Sequence, residues 1–430
     1  MTIKDKSQSK AGLTRRNAIT GVAATLAAAK MAFPGGAFAA GKGPEVSAAK
    51  LGFIALTDAS PLIIAKERGL FTKYGMPDVE VLKQASWGAT RDNLVLGSGG
   101  GGIDGAHILS PMPYLMSTGT ITNGKPTPMY ITARLNINGQ AISVGNDMKA
   151  VKVGLNSSGA KAKFAQLKAA GNPAKVAMTF RGGTHDLWVR YWLAAGGINP
   201  ETDVSTIVIP PPQMVANMKA GTQDVFCVGE PWNGQLVNQK IGYTACLTSE
   251  IWNNHPEKCL GLRAAWVDKH PNAARAITAA VMEAQFWCDQ MKNRPAMCSI
   301  VSGRQYINVP MGDILPRLQG TINYGDGREV KGSPHYMKFW SDYASFPFKS
   351  HDKWFVTEDI RWGVLPASTD INGLVNKVNR SDIWREAGKG MKITGPASDS
   401  RGVEKFFDGK VFDPADPEAY LASQSIKKLA

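Results

Sequence analysis

The chain has 430 residues, 43% of them hydrophobic and 20% charged, with a formal net charge of +14. That length exceeds one hydrophobic core and predicts two or three domains. The basic residues are scattered, with no long like-charge block, so they lack the stripe of a nucleic-acid surface and suggest attraction of anions at most.

The N-terminus opens on Arg15-Arg16, followed by a run from Ala18 to Ala29 made only of Ala, Ile, Val, Leu, Gly and Thr. That run has the length of a secretory core and is too short to span a bilayer. Lys30 and an Ala37-Phe38-Ala39 cleavage pattern follow, with Ala40 as the expected mature start. A twin arginine, a weakly apolar core and a basic residue before the cleavage site read as a Tat export signal over 1–39. Its loss removes Lys4, Lys6, Lys10, Arg15, Arg16 and Lys30 against Asp5, leaving about +9 of the formal +14. No later stretch is long and apolar enough to cross a membrane, and no cysteine lies near the cleavage site for lipid attachment. The expectation is a periplasmic protein, not lipid-anchored. The late cysteines Cys227, Cys246, Cys259, Cys288 and Cys298 lack the spacing of a zinc site. Cys288 and Cys298 flank a predicted helix corner, and their pairing stays open.

Downstream, Ala49 to Ala55 reads as a strand. Thr57-Asp58-Ala59-Ser60-Pro61 then supplies helix-starting residues, and the helix stops at Gly69. A strand from Asp78 to Leu82 leads to a loop holding Ser86-Trp87-Gly88, a helix to Leu96 and the glycine run Gly97 to Gly105. The later half repeats this grammar. It runs through a strand from Lys175, a loop at Gly182-Gly183-Thr184-His185, a helix to Ala195, a strand from Thr206, a helix after Pro210-Pro211-Pro212 and a strand ending near Phe226. Alternating strands and helices predict parallel α/β lobes. Two units that each close on Gly-x-x-Asp (Gly101 to Asp104, Gly221 to Asp224) read as two related lobes, with the site in the cleft between them. From about Gly325 the chain is loop-rich and aromatic, and is expected to wrap the lobes. The expected divisions are 40–143 and 247–330 for the first lobe, 144–246 for the second and 331–430 for the wrap.

The glycine run lacks a Gly-Lys-Ser/Thr ending, so it reads as a tight backbone crossover and not a phosphate loop. There is no nucleophile elbow, no His-Glu-x-x-His and no paired acid and base, so no catalytic residue is assigned. Trp87 is either a packed ring or an indole offered to a ligand. Glu230 is either a cleft carboxylate or part of a turn beside Trp232. His185 opens a predicted helix. Lys258, taken alone, reads as a solvated surface lysine.

Taken together, Leu56 to Phe71, Ser86-Trp87, Gly101 to Pro113, Asn138-Gly139-Gln140, Gly182 to Trp188, Pro210 to Val215, Gly229-Glu230-Pro231-Trp232 and Ser350-His351-Asp352 resemble the nitrate and bicarbonate solute-binding proteins. The resemblance covers nearly all of 50–425. It implies an α/β, two-lobed type II periplasmic binding protein with a C-terminal wrapping extension. It further implies an oxyanion in the cleft, contacted at Trp87, Gln140, His185 and Lys258. Gly183 and Thr184, at the start of the predicted helix, and Glu230 are the further expected ligand-binding residues. Lysine at 258 is what the resemblance implies for nitrate, where bicarbonate binders carry a carboxylate. Nitrate only accepts hydrogen bonds, which suits several donors and one fixed cation. The implied partners are nitrate and the permease and ATPase subunits of an ABC importer. No metal, cofactor or nucleic acid is expected, and the only membrane contact is through the permease. A binding protein for bicarbonate or a sulfonate, or a nitrate sensor acting on a regulatory protein, is the competing expectation.

Overall fold

The computed structural model describes residues 43–428. The export signal expected over 1–39 lies outside the described residues. Ten main strands follow in order: β1 (Ala48–Phe53), β2 (Asp78–Lys83), β3 (Gly105–Leu109), β4 (Met129–Arg134), β5 (Gln140–Gly145), β6 (Lys175–Met178), β7 (Ser205–Val208), β8 (Val225–Gly229), β9 (Gly242–Leu247) and β10 (Lys258–Arg263). They form two five-stranded sheets, ordered β2-β1-β3-β10-β4 and β7-β6-β8-β5-β9. In each, three parallel strands are followed by two more, the first of which runs antiparallel to both its neighbours.

The repeat read from the two Gly-x-x-Asp segments is visible atom by atom. Asp104 and Asp224 each stand one residue before a central strand. The Asp104 carboxylate accepts the Lys50 N–H at 3.0 Å and the Asp224 carboxylate accepts the Lys175 N–H at 2.7 Å. Each aspartate's own N–H returns to the same residue's carbonyl, at 2.8 and 2.9 Å. The two acids therefore pin the start of corresponding strands in corresponding ways.

The helices that position the site are α1 (Ser60–Glu67), α2 (Trp87–Leu96), α3 (Thr184–Ala195), α4 (Pro271–Asp289) and α5 (Lys349–Arg361). Pro61 sits in the first turn of α1, where a missing N–H costs nothing. The buried residues of α4 include Ala273, Ala276, Ala280 and Ala284, and the helix packs against α1.

The chain passes from the first sheet to the second between Arg134 and Gln140, and returns between Leu247 and Lys258. The first crossing lies a few residues ahead of the expected division at 143, because all of β5 pairs within the second sheet. The two crossing segments are bonded side by side: Leu135 N–H to Lys258 O at 2.8 Å and Asn138 N–H to His255 O at 3.0 Å. The lobes are thus joined by two segments that run side by side. The segment after 331 is more helical than expected. Besides α5 it holds Ile371–Val378, Ser381–Gly390 and Pro417–Ala422. It touches both lobes: Asp352 pairs with Arg134 at 2.6 Å, and Trp354 stacks on Trp188 with centroids 4.8 Å apart. All five cysteines, Cys288 and Cys298 included, are free thiols.

Candidate functional site

Lys258, Gln140 and His185 each stand at or next to the start of an element. Lys258 is the first residue of β10 and pairs with Leu109, the last residue of β3. Antiparallel pairing thus carries the lysine to the carboxyl edge of the parallel strands, where open α/β sheets bind ligands. Gln140, first in β5, reaches the same edge of the second sheet opposite Gly229. His185 is the second residue of α3, and Asp58 lies in the short turn Thr57–Ala59 that precedes α1.

Trp87 is not in a loop. The Ser86 hydroxyl accepts the Ala89 N–H at 3.1 Å and caps α2, making Trp87 its first residue. The capping pattern Ser86-x-x-Ala89 was the available signal.

These side chains converge in a single buried network. The Lys258 ammonium lies 2.7 Å from Glu257 Oε1 and 3.0 Å from Asp58 Oδ2, all three groups fully out of water. Taken alone in sequence, Lys258 had read as a solvated surface residue. The register of β10 buries it instead. Asp58 also accepts from Gln140 Nε2 at 3.0 Å and pairs with His107 Nε2 at 2.6 Å. Since His107 Nδ1 accepts the Ile54 N–H, its Nε2 is the donor to Asp58. The Gln140 carbonyl oxygen lies 2.7 Å from His185 Nε2, so that nitrogen carries the proton and Nδ1 accepts from the Thr179 hydroxyl. Glu257 accepts from the Thr184 hydroxyl and from Trp188 Nε1, the latter at 2.9 Å.

Trp87 completes the cluster. Its ring lies 5.4 Å from that of His107, and the Lys258 ammonium is 5.9 Å from its centroid. Its indole N–H is buried with no partner among the described residues. Gly229 leaves the space that Gln140 occupies, for a Cβ there would stand 2.6 Å from the Gln140 carbonyl oxygen. Gly183 is the cap residue of α3, held by its N–H to Phe180 O at 3.0 Å.

Burial decides the charge states. It opposes ionisation of Asp58, yet Lys258 and His107 more than offset it and hold that carboxyl well below its usual range. At Glu257 burial wins over Lys258, Thr184 and Trp188, and the carboxyl is pushed up. Burial, then Lys258, pushes His185 well down, so its imidazole is neutral. Burial lowers the Lys258 ammonium, but Asp58 and Glu257 raise it further, so it stays charged.

Of the residues expected from sequence, Trp87, Gln140, Thr184, His185 and Lys258 come together in this network. The Glu230 carboxylate does not. It turns to Arg317 at 2.7 Å, while its backbone carbonyl accepts the Thr57 N–H at 2.7 Å and links the lobes. Asp58, His107 and Glu257 were missed as site residues. All three lay inside or beside residues already singled out, but nothing in their local pattern announces that they join the network around Lys258.

Two such lobes closed over a buried cluster of hydrogen-bond donors define a solute-binding protein. Residues 42–302 match the NMT1-like family. The chain is 60% identical over 390 residues to the nitrate/nitrite binding protein NrtA of Synechocystis sp., covering 90% of this chain and 86% of that one. It is 43% identical over 396 residues to the bicarbonate-binding protein CmpA of Synechococcus elongatus, covering 89% and 88%. The crystal structure of the periplasmic nitrate-binding protein NrtA from Synechocystis PCC 6803 superposes with a TM-score of 0.88 at 59% identity, over 90% of this chain and 100% of that one. The chain belongs to the NMT1-like family, among its nitrate and bicarbonate solute-binding proteins. The fold is that of the two-lobed periplasmic binding proteins. Among the described residues no helix is long and apolar enough to cross a membrane.

Proposed function

We propose that this protein captures nitrate, and also nitrite, between its lobes in the periplasm and delivers it to the permease and ATPase subunits of an ABC importer. The observation that carries this reading is the convergence of Trp87, Gln140, His185 and Lys258 from four separate elements onto one buried point. The relationship to proteins named for nitrate and nitrite supports it. Each of the four offers an N–H, and nitrate can only accept. At present three of those donors are turned to one another or to Asp58 and Glu257, and only the Trp87 indole is unengaged. An anion entering the cluster therefore takes Lys258 and Gln140 over from the two carboxylates. The bonded crossing segments at Leu135 and Asn138 are where the lobes hinge, and closure completes the site. Lobe 1, expected over 40–143 and 247–330, is proposed to end its first part before Gln140, since β5 pairs in the second sheet. Export by the Tat route through Arg15-Arg16 belongs to this proposal, and separates it from a sensor working in the cytoplasm. The role is binding without chemistry.

Bicarbonate is the second reading, favoured by one observation. Asp58 and Glu257 place two carboxylates at the lysine, and bicarbonate has an O–H that can donate to one of them. Calorimetric titration of the chain from Ala40 with nitrate, nitrite, bicarbonate and sulfate, without added calcium, decides between them. One-to-one nitrate binding with bicarbonate silent is the expected result. A response to bicarbonate alone would overturn the nitrate reading and leave the fold untouched.

A further inference from the structure

Two carboxylates, Asp58 and Glu257, press on one ammonium, that of Lys258, with all three side chains out of water. The groups facing Glu257 come from several elements. Lys258 adjoins it on β10, and His255 Nδ1 stands 3.9 Å from Oε2. Helix α3 contributes Thr184, Trp188 and His185, whose Nε2 is 3.8 Å from Oε1. The Cys227 thiol of β8 is close enough for Glu257 to push its titration up after burial has done so. Beyond Lys258 lie Asp58 and His107. Of all these, only Lys258 is a cation at neutral pH, because burial keeps His185 neutral and holds His255 down at about 3.

With both carboxylates ionised, the cluster already carries one negative charge in excess. A nitrate ion seated among the donors adds another, in a space where an uncompensated charge is strongly disfavoured. Bicarbonate brings its own proton. Nitrate does not. Resting on the nitrate reading above, we infer that nitrate is captured together with one proton from solvent, which Glu257 takes up as Lys258 turns from its carboxylate to the anion.

Glu257 is the carrier for geometric reasons. Asp58 keeps His107 Nε2 as a donor even when Lys258 and Gln140 turn to the anion. His185 is unsuited, because a second ring proton would set a cation against the Lys258 ammonium, which lies 3.5 Å from Nε2. Glu257 Oε1 receives Lys258 and Thr184, so departure of the ammonium frees one lone pair on it. The proton forms an O–H bond there and converts an acceptor facing an anion into a donor. The cluster keeps the same net charge before and after capture.

The test is nitrate titration of the mature chain by calorimetry at neutral pH in PIPES and in Tris, whose ionisation heats differ. The expected result is uptake of about one proton per nitrate, with affinity falling about tenfold per pH unit across the window of uptake. Glu257→Gln is expected to show no uptake and an affinity level with pH. Tight nitrate binding with no proton uptake overturns this inference and leaves the nitrate reading standing. No nitrate binding overturns both. Uptake that persists in Glu257→Gln removes Glu257 as the carrier. Should that variant fail to fold, the wild-type buffer series decides alone.

Discussion

Lys258 and Gln140 occupy the same position in the two lobes. Each is the first residue of the antiparallel strand, and each pairs with the last residue of a central parallel strand, Leu109 or Gly229. Both side chains reach Asp58 Oδ2 at 3.0 Å. One address in a repeated fold thus carries a cation in one lobe and an amide in the other. Lys258→Gln makes the two lobes alike and leaves Asp58 and Glu257 without a counter-charge. A hydrogen bond to a charged group is worth roughly 1.5–3 kcal/mol, so nitrate affinity is expected to fall about tenfold to a hundredfold. Calorimetry on the variant checks this, and unchanged affinity would remove Lys258 from the site.

Trp87→Phe keeps the buried ring and removes an indole N–H that has no partner among the described residues. Losing an unused donor costs the fold little, while a nitrate bond is lost. The expected outcome is affinity about five- to tenfold weaker, from roughly 1 kcal/mol, with the melting temperature nearly unchanged. A large drop in melting temperature with no loss of affinity would make Trp87 a packing residue.

Acid should destabilise the protein through two buried histidines as pH falls below about 6.5. Burial holds His255 and His351 down at about 3, with Lys258 and Arg401 respectively also disfavouring the charged ring. An unfolded histidine titrates near 6.5, so between these values the unfolded chain binds more protons. Their contribution is present above about pH 6.5 and is lost as pH falls toward 3. Each costs about 1.4 kcal/mol per pH unit in that window. Urea unfolding at pH 7, 6 and 5 measures it, and a stability that is level over this range would contradict the burial argument.

Asp352→Ala should be among the most damaging single changes outside the cleft. It leaves the buried Arg134 guanidinium without its carboxylate and frees Asn379, which donates to Asp352 at 2.6 Å. Breaking one side of a buried ion pair costs about 3–5 kcal/mol. Denaturant unfolding would show it. A loss below about 1 kcal/mol would mean that the C-terminal segment does not hold the first lobe.

Arg15→Lys together with Arg16→Lys should stop export, since the Tat route reads the arginine pair itself. Fractionation of cells producing the full chain reports on this. Undiminished arrival in the periplasm would assign export to another route.

The order of strands and helices was open to reading because its signals are local. Proline and capping residues start α1, glycines close helices, and the two Gly-x-x-Asp segments mark corresponding strand starts at Asp104 and Asp224. Membership of the family was legible for the same reason, in long contiguous motifs. The helical content after 331 was less legible, because its aromatic residues pack against the lobes and show no clear periodicity of their own.

The cleft is another matter. Lys258, Asp58, His107, Gln140 and His185 come from separate elements, up to 200 positions apart in a chain of 430 residues. Residue types along the chain supplied a lysine and a scatter of acids and histidines, and that lysine read as a surface charge. Its burial between two carboxylates, the neutrality of His185 and the raised carboxyl of Glu257 follow from strand register and lobe closure. Those two set how close the charges stand and how completely water is removed, and distance and desolvation are what determine charge in a protein interior.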